Sequence, residues 1–195
     1  LADRLSPAAV SERRELTIVD IRSFEEREVM GWIPGSLHVN GDELLRVADE
    51  DAPVVLACAS GRRSAALAER IGSGGLRVYD LEGGLLAWQK TLPVCQFPDE
   101  PCDPVSRRDF LRQLRSCFVV ESVESGAIER DGVDPVSTVE AIIGDLPDDA
   151  DLPTLFASID RLALEAWRHG HRLDFIAANV SRFYGLARCV DSAVR

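Results

Sequence analysis

Cys58 is the residue whose neighbours best equip it for chemistry. It closes the short apolar run Pro53-Val54-Val55-Leu56-Ala57-Cys58, which reads as a buried parallel strand. Ala59-Ser60-Gly61-Arg62-Arg63-Ser64 follows, and then Ala65-Ala66-Leu67-Ala68-Glu69-Arg70, a strong helix former. The order is strand, cysteine, tight loop, helix. A short loop entering a helix turns several backbone N–H groups inwards, and with the helix dipole they form a cradle for an anion. A thiolate at its centre is stabilised, so the thiol pKa falls. Arg62 and Arg63 add positive charge, and Gly61 permits the positive φ that a tight cradle requires. The plainer alternative is a buried strand-end cysteine before an ordinary turn. On these residues alone the two stand about level.

The elements that must position the loop alternate along the first half. Leu16-Thr17-Ile18-Val19-Asp20-Ile21 is a second apolar strand. Leu37-His38-Val39-Asn40 and Arg77-Val78-Tyr79-Asp80-Leu81 are weaker ones. Between them lie helical patterns. Ser6-Pro7 is an N-cap with Pro at the first helical position, opening a helix to about Arg14. The others run from Glu25 to Met30, Asp42 to Ala48, Arg63 to Ile71 and Leu85 to Lys90. Alternation of this kind predicts an α/β fold with a mainly parallel sheet covered on both faces.

Pro93 to Pro104 holds four prolines and two cysteines, a density that blocks regular structure and reads as a linker. The expected organisation is a first domain over 1–97, a Pro-rich linker at 98–105 and a mainly α-helical domain over 106–195. In the last of these Phe110, Leu111, Leu114 and Phe118 recur at helical spacing. Asp134-Pro135 is a helix start. Stripes follow from Leu152 to Trp167 and from Leu173 to Val190, joined by the turn Arg168-His169-Gly170-His171. A small bundle with a helical hairpin is expected. Val119 to Ile128 is open between helix and strand.

Four motifs fall in order through the first half. Val19-Asp20-Ile21-Arg22 carries Asp-x-Arg. Glu25 or Glu26 leads to Gly31-Trp32-Ile33-Pro34-Gly35-Ser36. Cys58 to Ser64 reads CASGRRS, a Cys, four residues and an Arg. Leu81 to Trp88 reads Leu-x-Gly-Gly-x-x-x-Trp. Together they resemble the rhodanese family of sulfurtransferases. The resemblance implies a rhodanese-like sheet flanked by helices and no cofactor. It implies that Cys58 is a nucleophile carrying sulfur as a persulfide and that Arg63 is the loop arginine. Ala59, Ser60, Gly61, Arg62 and Ser64 would bind substrate, with Arg62 drawing in an anionic sulfur donor and a thiol or cyanide accepting the sulfur. Asp20 and Arg22 are expected to support the structure as an ion pair. Two departures stand out: Trp32 replaces the family's His, and the first strand is short or missing. Phosphatases of this fold have one more residue between Cys and Arg, so the shorter loop fits sulfur. A second reading is a regulatory module that binds or relays sulfur for a partner.

Bulk properties narrow the setting. The formal net charge is -11, which argues against nucleic-acid binding. No stretch approaches the roughly 20 apolar residues of a membrane span. The chain opens at Leu1 with no visible signal peptide, as a processed or partial sequence would. Five cysteines without C-x2-C spacing argue against a disulfide framework or zinc ribbon and for a reducing, cytoplasmic location. Cys95 and Cys102 are relay candidates, but bystanders is the simpler account. His169, His171 and Cys189 are weak metal candidates against an ordinary helix turn. Cys117, Trp167 and Phe183 read as core. Residues 99–195 carry 18 acids against 11 arginines, and such a bundle would suit an acceptor protein's docking surface or a contact between two chains.

Overall fold

Five strands run parallel in one sheet of order β1-β5-β4-β2-β3. They are β1 (Arg4–Leu5), β2 (Thr17–Asp20), β3 (Leu37–His38), β4 (Val54–Ala57) and β5 (Val78–Leu81). Helices α1 (Pro7–Glu12), α2 (Phe24–Met30) and α3 (Arg62–Gly72) lie between them in the chain, and α4 (Gly84–Trp88) follows β5. The computed structural model describes residues 3–39, 53–72, 77–97, 103–124, 134–147, 149–168 and 173–191. Asn40, the helix expected from Asp42 to Ala48, Cys102 and the pair His169 and His171 lie outside the described residues. By its internal packing the chain divides into two units, Leu1–Gln96 and Phe97–Arg195.

The central strand β4 is buried along its whole length, as a purely apolar run between two parallel neighbours must be. On one face Val55 and Ala57 join Val10 of α1, Leu81, Leu85 and Trp88 in a continuous core. Register fixes which side chains share a face. Ala57 lies beside Asp20, and Leu56 beside Asp80. Because successive strand residues point to opposite faces, the two aspartates are on opposite sides of the sheet. The first strand is present, reduced to Arg4–Leu5 at the sheet edge. It is held there by Asp80 N–H donating to Asp3 O at 3.0 Å and Glu82 N–H to Leu5 O at 2.9 Å.

Helix starts follow their caps. The Ser6 hydroxyl accepts from Ala9 N–H, with Pro7 at the first helical position. Ser23 and Glu26 form a reciprocal capping box at the start of α2. Trp32, in place of the family's His, is buried beneath the Arg27 guanidinium, 5.4 Å from its ring centre. Its backbone pairs with Cys95 in both directions, at 2.9 and 2.8 Å. Pro93 O accepts from the Trp88 indole at 2.9 Å. The start of the proline-rich segment is thus packed into the first unit.

The second unit contains β6 (Val105–Ser106), α5 (Arg107–Glu124), α6 (Pro135–Gly144), α7 (Leu152–Arg168), α8 (Leu173–Arg188) and β7 (Val190–Asp191). Helix α5 takes in Val119 to Glu124, where the sequence left helix and strand open. Asp134 caps α6 through Val136 and Ser137 N–H. Buried rings pack in two groups, Phe183 against Phe110 and Phe118, and Phe156 against Tyr184. Phe97, read from sequence as the last residue of the first domain, packs here against Phe156 and Tyr184. Val105, read as linker, pairs with Val190. Cys117 is half-buried and donates to Asn179 Oδ1 at 3.0 Å. Cys189 is disulfide-bonded, where the sequence argued against a disulfide framework and for a reducing setting. Cys58, Cys95 and Cys117 are not. Among the described residues, no helix is long and apolar enough to cross a membrane. No cluster among them has the make-up of a metal site.

Candidate active site

The Cys58 residue is 1% exposed and sits where β4 gives way to the loop. Gly61 N–H donates to its sulfur at 3.2 Å, and the Ser64 hydroxyl lies 3.4 Å from it. Burial pushes the thiol pKa up. The Ser64 hydroxyl and the backbone amides of Ser64, Ser60 and Arg63 outweigh burial and hold it below the ordinary thiol value. The environment therefore favours the thiolate.

The loop keeps this shape because a second turn supports it from below. Leu85 N–H donates to Cys58 O at 2.9 Å, and Leu86 N–H to Ala59 O at 3.0 Å. Gly84 takes φ +58, and a Cβ there would come within 2.3 Å of Cys58 O and 2.7 Å of Gly61 N. The second glycine of the Leu-x-Gly-Gly turn is thus required by close approach of two backbones. Gly61 takes φ +81 and faces Gly83 across the same contact.

The two arginines differ. Arg63 is clamped by Glu26, with NH1 to Oε2 at 2.9 Å and NH2 to Oε1 at 2.5 Å. The Glu26 carboxyl is held below its usual pKa, chiefly by that guanidinium. Arg63 is consequently a neutralised pair spanning α2 and α3, and it also interacts with Cys58. Both side chains are exposed, and Arg62 has its Nε 3.5 Å from Ser60 Oγ.

Asp20 and Arg22 form a buried two-pronged ion pair at 2.9 and 2.7 Å, and Arg22 also donates to Gly31 O at 2.6 Å. Arg27 Nε lies 3.5 Å from the same carboxylate. Ala59, Ser60 and Gly61 form the loop between Cys58 and Arg62. Ser64, which the resemblance put among the substrate-binding residues, lies 3.4 Å from Cys58 Sγ. It is buried below the sulfur and donates to Asp80 Oδ1 at 2.6 Å. Asp80 was read from sequence only as a strand residue. The signal was an ionisable residue inside an apolar strand, which has to find a partner or lose its charge.

A family model for the rhodanese-like domain matches residues 6–91. The thiosulfate sulfurtransferase GlpE of Ectopseudomonas mendocina is 36% identical over 96 residues, covering 46% of this chain and 87% of that protein. Its namesake in Pseudomonas fluorescens is 38% identical over 97 residues, covering 47% and 88%. The chain belongs to the rhodanese-like domain family. A crystal structure of a rhodanese-related protein from Thermoplasma volcanium superposes with a TM-score of 0.44 at 30% identity, over 48% of this chain and 97% of that one. The family match lies within the first unit, which is the rhodanese-like domain. Its motifs have structural meanings here: Asp-x-Arg is the buried ion pair, and the Gly-Gly turn is the platform under the loop.

Proposed function

We propose that the rhodanese-like domain is a sulfurtransferase whose Cys58 accepts sulfane sulfur from thiosulfate or a persulfide and passes it to a thiol or cyanide. The observation that carries this reading is the sulfur of Cys58, held by the Gly61 amide and the Ser64 hydroxyl in a loop that lowers its pKa. The Cys58 thiolate attacks the outer sulfur of the donor. For thiosulfate, the S–S bond breaks with its electron pair leaving on sulfite, and Cys58 retains the sulfur as a persulfide anion. The acceptor then attacks that outer sulfur and restores the thiolate. Splitting the transfer in two is ordinary covalent catalysis. Inward-facing amides of the loop hold the persulfide charge. Arg63, fixed by Glu26, keeps the loop closed on the α2 side. Arg62 draws anionic donors towards the rim.

Thiosulfate:cyanide transfer tests the proposal. The intact chain, and a chain ending at Gln96, are expected to turn over, because the loop, its platform and the sheet all lie before residue 97. Cys58→Ser is expected to abolish turnover. Transfer that survives Cys58→Ser overturns the proposal. Persulfide formation without release to any small acceptor favours a relay module acting on a partner protein.

A further inference from the structure

The rhodanese reading leaves one buried ionisable group at the site without a task. Asp80, on β5, is 1% exposed, and its Oδ1 is 2.6 Å from the Ser64 hydroxyl. That distance is within the range of an O–H···O hydrogen bond whichever of the two oxygens carries the proton. The same hydroxyl is 3.4 Å from Cys58 Sγ. A serine has one proton to give, so it serves one neighbour and accepts from the other. When Asp80 is ionised, Ser64 donates to it and its lone pair faces the sulfur, which suits a neutral thiol. When Asp80 is protonated, Asp80 donates to Ser64 and Ser64 donates to the sulfur, which suits a thiolate.

We infer that Asp80 holds the proton that Cys58 gives up, passed through the Ser64 hydroxyl. The inference rests on Cys58 being the nucleophile. The thiol proton moves to Ser64 Oγ as the hydroxyl's own proton moves to Asp80 Oδ1. The pair keeps one proton and one negative charge, and no outside base is needed. Asp80 is a positioning residue here, since it acts on the sulfur through Ser64.

The surroundings of Asp80 fit a neutral carboxyl. Its Oδ2 is buried and has no hydrogen-bond partner. An ionised carboxyl left this way is costly. Arg4 of β1 is the cation that faces it, with Nε 3.3 Å from Oδ2, but that side chain is 58% exposed. Glu82, at the end of β5, is the nearby like charge. Burial pushes the Asp80 pKa up, and it stays raised although Ser64 and Arg4 pull it down. The geometry links the two groups: Ser64 Oγ lies 2.6 Å from Asp80 Oδ1 and 3.4 Å from Cys58 Sγ, so one proton can be passed along the row.

Alkylation of Cys58 with iodoacetamide at neutral pH tests this without any sulfur donor. Ultraviolet absorbance reads the thiolate, and an indicator dye in weak buffer reads protons, with Cys58→Ser supplying the background of the other cysteines. The intact chain is expected to show a thiolate and yet to release one proton for each Cys58 alkylated, because Asp80 ionises once the thiolate charge is gone. Asp80→Asn, whose amide can donate to Ser64, is expected to keep the thiolate and release no proton. Ser64→Ala, with Asp80 in place, is expected to lose much of the thiolate absorbance. A thiolate alkylated without proton release in the intact chain overturns the inference. So does the same release from Asp80→Asn, or the absence of thiolate in the intact chain. Each of these results leaves persulfide formation on Cys58 as a separate question.

Discussion

Two buried aspartates lie on opposite faces of one small sheet and have opposite surroundings. Asp20, 2% exposed, meets Arg22 through two hydrogen bonds and lies 3.5 Å from Arg27; both arginines are as buried as itself. Asp80, 1% exposed, meets a serine and the edge of an exposed arginine. Burial pushes both carboxyls up. At Asp20 the two guanidiniums outweigh burial and hold the pKa below the usual carboxylate value. At Asp80 burial wins. The difference teaches that burial alone does not assign a carboxyl its role. Full ionic pairing makes Asp20 a fastener, whereas incomplete pairing leaves Asp80 able to take a proton beside Ser64.

The largest expected effect sharpens the fastener side. Asp20→Asn strands two buried guanidiniums and should cost about 3–5 kcal/mol in urea unfolding, the usual penalty for breaking one side of a buried ion pair. A loss near zero would put Asp20 in the same class as Asp80. The pH dependence should carry the same sign. A carboxyl with a lowered folded pKa contributes stability above its unfolded pKa of about 3.9 and loses it as pH falls through the folded value. Acid titration of unfolding should therefore be steeper in the intact chain than in Asp20→Asn.

Asp80→Asn should do the opposite and do less. A raised folded pKa is a penalty absent below about pH 3.9, growing as pH rises through the folded value. Removing the ionisable group should leave stability at neutral pH unchanged or improved, within about 1 kcal/mol, as for a group whose partners still find a hydrogen bond. A large loss on this substitution would erase the contrast. The smallest effect belongs to the half-exposed pair Glu26 and Arg63. Glu26→Gln keeps a residue suited to the capping box and removes the charge. It should lower stability by less than about 1 kcal/mol, and added salt should shrink the difference.

Much of this was legible in the sequence. Runs such as Val54 to Ala57 are purely apolar and Ser6-Pro7 is a strong start signal, so β4 and α1 fall where the pattern puts them. The Asp20 pair could be anticipated because both partners lie in one short motif. Other features depend on neighbours distant in the chain. Glu26 reaches Arg63 across 37 positions, and Ser64 reaches Asp80 across 16. Arg4–Leu5 and Val105–Ser106 are too short to show alternation, so only their strand partners reveal them. Proline density disfavours regular backbone but carries no information about packing. Hence Phe97 was placed with the first domain although its ring packs in the second unit.

The account stands on sulfur being carried by Cys58, and mass spectrometry of the intact chain after incubation with thiosulfate examines that most directly. One added sulfur, about 32 Da, should map to Cys58, vanish on treatment with reductant and be absent from Cys58→Ser. An unmodified Cys58, or the same mass gain in Cys58→Ser, would contradict it.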